Sequence, residues 1–478
     1  KAEGIYLHND KKLQPQCGLK NYDKILIFAA FAAGFFLFSH PDLWETANHG
    51  YVFLESLFSG KVLHFYEICA RHENTYYYLN SANYNIVVYI IFGLWELPVF
   101  VFNKIFHLRL NERFLIYWAK CVSVGFFVGC GILVKKICLK LNLSKNTATA
   151  GMFLFIFNPI AFFSPMAMGQ YDSICLFFSL LAMMFYLEGN MAKTCFVAGI
   201  GAVCKFFPLL IFIPLILLRE KKILNILKYV LLCLWLYIPT SLLFHGRTGN
   251  ASAFTSMMID RLFRANISLG IGEVSIFLLC YCFLVFVRFI CNLRDKREFN
   301  YTAIYLSMAV FRLLFLTIGW HPQWLILLVP FMVISALLQE NKTYWFYLDI
   351  LLSFGFFVLC FVRFPNQCSG SLFNGGILSG LTGFNTALRT NYKYLNYFIG
   401  LVPHLPEIAR VVFAAVLILN IILKFPIGGK SISDRLSQNA EFDNFNLKQR
   451  CYRVFVLGFG LCWFLPALAE LLNGMGVI

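Results

Sequence analysis

Apolar residues follow one another in long runs along most of this chain, and short polar segments separate the runs. At least ten of the runs approach the ~20 residues that an α-helix needs to cross a hydrocarbon layer ~30 Å thick. The polar segments between them are too short to fold as a separate soluble domain. The pattern predicts an all-α polytopic membrane protein in which residues 1–478 form one transmembrane domain.

Basic residues in the polar segments predict the orientation. Four lysines, Lys11, Lys12, Lys20 and Lys24, precede the first apolar run, and short loops rich in Lys and Arg usually stay in the cytoplasm. We therefore expect residues 1–24 to be a cytoplasmic segment and the loop after the first run to be external. The polar character of the first twenty residues also argues against an intact signal peptide at the start of this sequence.

The run Ile86–Phe106 conflicts with this orientation. If both Ile86–Phe106 and the next run, Phe114–Val134, crossed the membrane, the basic loop at 135–145 would lie outside. Because Ile86–Phe106 contains Glu96 and Pro98 in its middle, we interpret it as helical segments lying in the outer interface. The alternative is that it crosses and that the charge rule fails locally.

The interfacial interpretation gives about thirteen transmembrane helices with interfacial helices in the first external loop. The predicted spans are residues 25–39, 113–134, 146–164, 172–188, 192–205, 207–218, 226–245, 268–290, 301–319, 323–339, 345–363, 408–424 and 453–474. They divide the single domain into a cytoplasmic segment, an external loop, core helices, a second external region and C-terminal helices, at residues 1–24, 40–112, 113–363, 364–407 and 408–478.

Composition narrows the class of protein. The chain is 59% apolar and 13% charged, whereas soluble domains carry about 25% charged residues, so a soluble enzyme is excluded. The net charge of +16 lies in short loops, as expected beside an anionic leaflet, so the partners are membrane lipids and not nucleic acid. The cysteines lack metal-site or redox spacing, and only Cys69 and Cys368 fall in predicted external loops, where a disulfide between them is an open alternative.

A first group of candidate residues follows the first span: Asp42, Glu45 and His49. A carboxylate held at a rigid helix end can accept the proton of an attacking hydroxyl. Asp42 and Glu45 are three residues apart, so both would face one pocket from a helix. The alternative is a helix cap, in which Asp42 is the N-cap and Glu45 completes a capping box.

A second group, Gln170, Tyr171 and Asp172, stands at the outer start of the fourth span. Backbone N–H groups at a helix start can bind an anion, and Asp172 can orient a hydroxyl or a metal, or simply cap the helix. Lys205 ends the short fifth span. An ammonium at that depth needs an anion, for which a lipid phosphate is suitable, unless the side chain extends to the interface.

A third group lies between the ninth and tenth spans, where His321 is flanked by Trp320 and Gln323. Histidine donates hydrogen bonds to phosphate oxygens. Arg261 and Arg264, after the seventh span, are further phosphate-binding candidates, although a basic turn beside lipid headgroups explains them equally well. All the groups fall on the external face under a topology derived from other residues.

The order and spacing of these motifs resemble the polytopic glycosyltransferases of the GT-C superfamily. The resemblance is closest to the bacterial polyprenol-phosphate-mannose-dependent mannosyltransferase-like proteins, and it covers about residues 38–330. The matching positions are Asp42 and Gly50, the Gly-Gln-x-Asp turn Gly169–Asp172, the segment Gly199–Pro208 with its Lys-x-x-Pro ending, and the pattern of His321, Trp324, Leu325 and Pro330.

The resemblance implies an inverting glycosyltransferase at the extracytoplasmic face of a plasma membrane. Such an enzyme moves one sugar, for example mannose, from a polyprenyl-phosphate donor to a cell-envelope glycan or glycolipid. It implies that Asp42 is the general base and that His321 contacts the donor phosphate, although Glu45 fits the base role as well. No cofactor is required, and Asp172 is compatible with a divalent metal that the spacing does not demand.

A lipid-linked saccharide flippase or transporter without chemistry is the alternative. Such a protein would use the same basic and aromatic cavity. Transporters usually place charged groups near the bilayer midplane and interrupt helices there. Here the acidic candidates lie at the outer ends of spans, which favours the enzyme.

Overall fold

The computed structural model describes residues 21–71, 82–107, 110–245, 259–291, 293, 295–340, 342–364, 400–428, 430–436 and 458. It is mostly helical (79%), as the hydrophobic pattern predicts. We name the helices α1 (Asn21–Leu37), α2 (Pro41–Phe58), α3 (Phe65–Ala70), α4 (Ile86–Phe106), α5 (Glu112–Lys140), α6 (Lys145–Ile156), α7 (Pro159–Phe162), α8 (Asp172–Leu187), α9 (Met191–Cys204), α10 (Phe207–Arg219), α11 (Ile223–Cys233), α12 (Tyr237–Leu243), α13 (Ile276–Ile290), α14 (Lys296–Thr317), α15 (Val329–Leu337), α16 (Lys342–Arg363), α17 (Leu405–Leu423) and α18 (Ile432–Leu436).

Shorter elements complete the described structure. These are two 3₁₀ turns at Val62–His64 and Pro322–Leu327, a π-helical turn at Phe163–Ala167, and the strands β1 (Asn266–Leu269), β2 (Gly272–Ser275), β3 (Pro426–Ile427) and β4 (Lys430–Ser431). The strands form two antiparallel hairpins, β1 with β2 and β3 with β4.

Several helices are long and apolar enough to cross a membrane. Within the described part of the chain, five single helices meet this criterion, and up to eight spans result if three bent helix pairs each count as one. The single helices are α4, α5 (from Phe114), α14, α16 and α17. The prediction of a membrane protein is therefore supported, while the count of about thirteen spans stays a prediction.

Most predicted boundaries agree with the helices, but three predicted spans differ. The spans 146–164 and 226–245 are each broken, by a bend of 54° after α6 and a bend of 53° between α11 and α12. The third differs in its first residues. Residues 268–290 were expected to form one span, but the first residues form the β1–β2 hairpin and α13 begins only at Ile276. The hydroxyl of Ser275 accepts a hydrogen bond from the backbone N–H of Leu278, which caps the helix at this point. The predicted helical run is thus shorter by about two turns.

Helix α4 has the bounds of the run that we interpreted as interfacial, Ile86–Phe106. It contains Pro98 in its interior and is long enough to cross a membrane by length and composition. Its interfacial placement stays a prediction. The last predicted span, 453–474, and most of the second external region, including Cys368, lie outside the described residues, and Cys69 is buried.

A sharp bend of 73° separates α1 from α2. His40 is extended at the N-cap of α2 and Pro41 follows at its first position, so α1 cannot continue through them. The break leaves carbonyls at the end of α1 without helical partners. Lys120 of α5 donates from Nζ to three of them, those of Gly34, Phe35 and Phe38, at 2.9, 2.8 and 2.6 Å. The C-terminal end of α1 is thereby joined to the first part of α5.

Small residues allow the remaining helices to pack closely. A Cβ at Gly201 in α9 would lie 3.2 Å from the carbonyl oxygen of Cys175 in α8. A Cβ at Gly355 in α16 would lie 3.0 Å from the carbonyl oxygen of Ala409 in α17. Such contacts are the usual means by which membrane helices associate without a hydrophobic driving force.

Candidate functional site

The site forms where the start of α2 meets the turn before α8. Gln170 donates a hydrogen bond of 2.6 Å from Nε2 to Oδ2 of Asp42, across 128 residues of sequence. The Asp42 side chain is 42% exposed, so one face of the carboxylate is open to a ligand. An acidic side chain that is both fixed and accessible meets the first requirement for a general base.

His40 contacts the other oxygen of the same carboxylate. Its Nδ1 lies 3.3 Å from Oδ1 of Asp42 and also 3.3 Å from the backbone nitrogen of Asp42. Burial disfavours the charged carboxylate, but the hydrogen bond to His40 and the positive charge of Lys205 outweigh burial, and His321 adds to them. The pKa of Asp42 is therefore below its usual value, and the group is ionised at neutral pH.

The turn that carries Gln170 has a conformation that favours glycine. Gly169 has a φ of +71°, and a Cβ there would lie 2.7 Å from Cδ2 of Leu43. The hydroxyl of Ser123 donates to the Gly169 carbonyl at 2.7 Å, and the Gln170 N–H donates to the Ser164 carbonyl at 2.9 Å. The turn is thus fixed against α2, α5 and the π-helical segment, which places the amide of Gln170 at Asp42.

A buried ion pair lies beside this turn. Nζ of Lys205 is 2.7 Å from Oδ1 of Asp172, and both side chains are almost completely buried, at 1% and 0% exposed. The Lys205 ammonium also lies 4.8 Å from the ring centre of Tyr171 and 5.8 Å from that of Tyr84. Paired charge and aromatic rings offset the cost of burying the ammonium. Oδ2 of Asp172 is buried without a hydrogen-bond partner in the described structure.

A cationic group lies on the adjoining loops. Nη2 of Arg261 is 3.2 Å from Nε2 of His321, and its Nη1 donates to the Gly319 carbonyl at 3.0 Å. The Arg261 guanidinium also lies 5.2 Å from the ring centre of Trp324. Burial, and then the charges of Arg264 and Arg363, lower the pKa of Arg261. Arg264 and Arg363 both repel the Arg261 guanidinium, and a bound anion would offset this repulsion.

Other predicted site residues occupy different positions. Glu45 is half-buried on α2, while His49 is buried on the same helix, with its ring 5.3 Å from that of Tyr89. Trp320 packs in the core, where its ring centre is 5.5 Å from that of Phe413. Gln323 is buried, and its Oε1 has no hydrogen-bond partner among the residues described. The structure therefore brings Asp42 and Gln170 into contact. The Asp172–Lys205 pair and His321 lie close enough to Asp42 to interact with it electrostatically.

Sequence reasoning missed three residues that support this arrangement. His40 stands two residues before Asp42 in the sequence, and this spacing is a usable signal. Tyr84 contacts both Lys205 and Tyr171 from the first external loop, and nothing in the sequence links it to them. Lys120 stands within an apolar run, and an isolated ionisable residue in such a run is a signal of a specific partner.

The described residues do not form a metal site. No group of three or more His, Cys, Asp and Glu side chains is arranged to hold a metal ion in the part of the chain that the structure covers. Asp172, the one candidate ligand, binds the ammonium of Lys205. The site thus combines one accessible carboxylate with several cations.

No protein-family model, curated protein or solved structure matches this chain.

Proposed function

We propose that the protein is a glycosyltransferase that moves one sugar from a polyprenyl-phosphate-linked donor to a cell-envelope glycan or glycolipid, with inversion at the anomeric carbon. The observation that supports this most is the accessible, ionised Asp42, held by Gln170 and His40 with cations within electrostatic reach. A base beside a site for an anionic leaving group is the combination that the reaction requires.

In the proposed reaction, Asp42 accepts the proton of the acceptor hydroxyl. The hydroxyl oxygen then forms a bond to the anomeric carbon as the bond from that carbon to the phosphate oxygen breaks. The electron pair of that bond stays on polyprenyl phosphate, which leaves as an anion and needs no general acid. Glu45 lies one helical turn from Asp42 and is the second candidate for the base.

The donor phosphate is proposed to bind beside His321, Arg261 and Arg264. Their positive charge and hydrogen-bond donors stabilise the negative charge that grows on the leaving group. Because Lys205 is paired with Asp172, it contributes through the ion pair and the positive potential that it adds near Asp42. Of the other candidate residues, Gln170 positions Asp42, and the buried side chains of His49, Tyr171, Asp172, Trp320 and Gln323 support the site from behind.

We infer that the site faces the extracytoplasmic side of a plasma membrane and that the fold is of the GT-C type with about thirteen spans. The bonds of Lys120 support this, because they place the end of α1 beside the start of α5. If α1 crosses outward, α5 then begins outside, and the intervening α4 does not cross. An interfacial α4 agrees with the distribution of basic loops.

Transfer of radiolabelled sugar tests the proposal. The protein in lipid nanodiscs is incubated with polyprenyl-phosphate-linked mannose and with the glycolipid fraction of the source membranes. We expect label to appear in an acceptor, together with one equivalent of polyprenyl phosphate. A panel of other polyprenyl-phosphate hexoses extends the test to other sugars.

A flippase gives a different result in the same system. In sealed proteoliposomes it would move the intact donor between leaflets, and no polyprenyl phosphate would be released. Donor movement that Asp42→Asn leaves unchanged, with no transfer from any donor in the panel, would refute the glycosyltransferase and support the transporter.

A further inference from the structure

A second cleft lies at the junction of α2, α4 and α5. Its walls include Trp44, Asn48 and Tyr51 of α2, Glu96 of α4, and Leu115 and Ile116 of α5. Its free interior is about 20 Å³, which is room for about one water-sized group, and one side is open. Tyr51 is nine residues from Asp42, or two and a half helical turns, so the two side chains leave opposite faces of α2. The cleft is therefore separate from the site at Asp42.

Glu96 is an unusual residue for such a place. Its side chain is 4% exposed, and in the described part of the chain its Oε1 is buried without a hydrogen-bond partner. None of the side chains that line the cleft is cationic. A buried carboxylate costs several kcal/mol unless it is paired, and an ionisable residue within a span-length apolar helix is a functional candidate.

A second glutamate between the same two helices shows what Glu96 lacks. Glu55 of α2 lies 3.8 Å, through Oε1, from Nζ of Lys104 in α4. Among the described residues, Glu55 thus has a cationic partner at the α2–α4 interface and Glu96 has none. A ligand can supply the hydrogen-bond donor that Oε1 of Glu96 lacks among the described residues, and a cationic donor would favour and complement the ionised carboxylate.

The surroundings indicate the kind of molecule that carries this cation. The rings of Trp44 and Tyr51 line the cleft, and aromatic faces attract ammonium groups. The outer faces of α4 and α5 expose apolar side chains such as Leu94 (65% exposed) and Phe114 (50% exposed). These faces suit acyl chains, so the ligand is amphipathic, with its polar end at Glu96.

We propose that this cleft binds the primary ammonium headgroup of an aminophospholipid, with Glu96 as its counter-ion. The ammonium would donate to the buried carboxylate, while the acyl chains lie against α4 and α5. The proposal does not rest on the transferase activity. It assigns to α2 a lipid contact on the face opposite Asp42.

Lipid-binding measurements on the full-length protein test the proposal. Delipidated protein in detergent is titrated with phosphatidylethanolamine, phosphatidylcholine and phosphatidylglycerol, and bound lipid is counted by native mass spectrometry. We expect phosphatidylethanolamine to bind at least tenfold more tightly than the other two lipids. Glu96→Gln should reduce this preference below threefold, and the control Glu55→Gln should keep it.

A second variant guards against misfolding of Glu96→Gln. Ala119→Leu fills the cleft from α5 while Glu96 stays in place, and it should weaken phosphatidylethanolamine binding without a change in overall charge. Equal affinity for the three lipids would overturn the proposal. A phosphatidylethanolamine preference that survives both Glu96→Gln and Ala119→Leu would also overturn it. So would binding of phosphatidylglycerol that depends on Glu96, because the ligand of Glu96 would then be a hydroxyl group and not an ammonium.

Discussion

Asp42 is the residue on which the proposed chemistry depends most directly. Replacing it by Asn keeps the size and the contact with Gln170 but removes the base, so turnover should fall about 10²-fold or more. Donor binding should stay near that of the unmodified protein, because the phosphate contacts are elsewhere. The measurements are kcat in the sugar-transfer assay and binding of polyprenyl phosphate.

Glu45→Gln is the matched control for Asp42→Asn. Glu45 is half-buried one turn along α2, and its substitution should reduce kcat less than that of Asp42. Near-normal turnover in Asp42→Asn together with loss of turnover in Glu45→Gln would exchange the two roles.

Substitution of His40 should shift the pH dependence of the sugar-transfer rate in a defined direction. Its hydrogen bond is the largest of the effects that lower the pKa of Asp42 against the opposing effect of burial. Removing it in His40→Ala should raise the pKa of Asp42, so the acid limb of the pH–rate profile moves to higher pH, because the base form is lost earlier as pH falls. His64→Ala, at an exposed histidine paired with Glu67, is the control. An acid limb that does not move in His40→Ala would argue against Asp42 as the titrating base.

Substitution of Lys205 should mainly lower stability, whereas substitution of His321 should mainly weaken binding of polyprenyl phosphate. Lys205→Ala leaves Asp172 buried without its ion pair, which costs about 3–5 kcal/mol and should lower thermal stability. His321→Ala should instead weaken binding of polyprenyl phosphate, by about 1.5–3 kcal/mol for a lost donor to a charged group, with little change in stability. Thermal unfolding and lipid-binding titrations separate the two effects. Unchanged phosphate affinity in His321→Ala would remove this residue from the donor site.

At the scale of elements, the bend between α1 and α2 sets the position of Asp42. Lys120→Met keeps a long side chain but removes three hydrogen bonds to the end of α1. We expect a loss of at least ~2 kcal/mol of stability, seen as a lower midpoint of thermal unfolding. Lys104→Met, at an exposed lysine, is the control. A midpoint that stays unchanged in Lys120→Met would mean that the bend is fixed by His40 and Pro41 alone.

The elements also show which features could be read from the sequence. The bounds of α4 were predictable because its apolar run is continuous, and the break before α2 because Pro41 stands at a helix start. The β1–β2 hairpin was missed because a short apolar run does not distinguish strand from helix. Here the helix cap at Ser275 and the turn at Gly270 determine that the residues before Ile276 form a hairpin and not a helix.

For the whole molecule, the interfacial placement of α4 gives a topology that can be measured. Single cysteines at Ser59 and Asn142, both exposed, are introduced into a background without accessible thiols. In intact cells, an impermeant thiol reagent should label position 59 and leave position 142 unlabelled, because one non-crossing helix keeps the loop at 135–145 inside. Labelling at both positions would show that α4 crosses. Disruption of the membrane should expose both positions to the reagent and is the positive control.

The sequence by itself determined the class of protein and the residue types of the site. Long apolar runs indicate a membrane protein, because their length matches the thickness of the hydrocarbon layer. Few polar residues stand at the ends of such runs, so each can be identified individually. Asp42, the Gly169–Asp172 turn, Lys205 and His321 were all recognised in this way.

Only the tertiary structure decided which of these residues are partners. Asp42 and Gln170 are 128 residues apart, and Asp172 and Lys205 are joined as an ion pair, although the sequence suggested separate tasks for them. Pairing depends on how helices pack and where they bend, and these follow from many contacts at once. The absence of a hydrogen-bond partner for Oε1 of Glu96 among the described residues likewise has meaning only beside the pair of Glu55 and Lys104, because a missing cation can be recognised only when the neighbours are known.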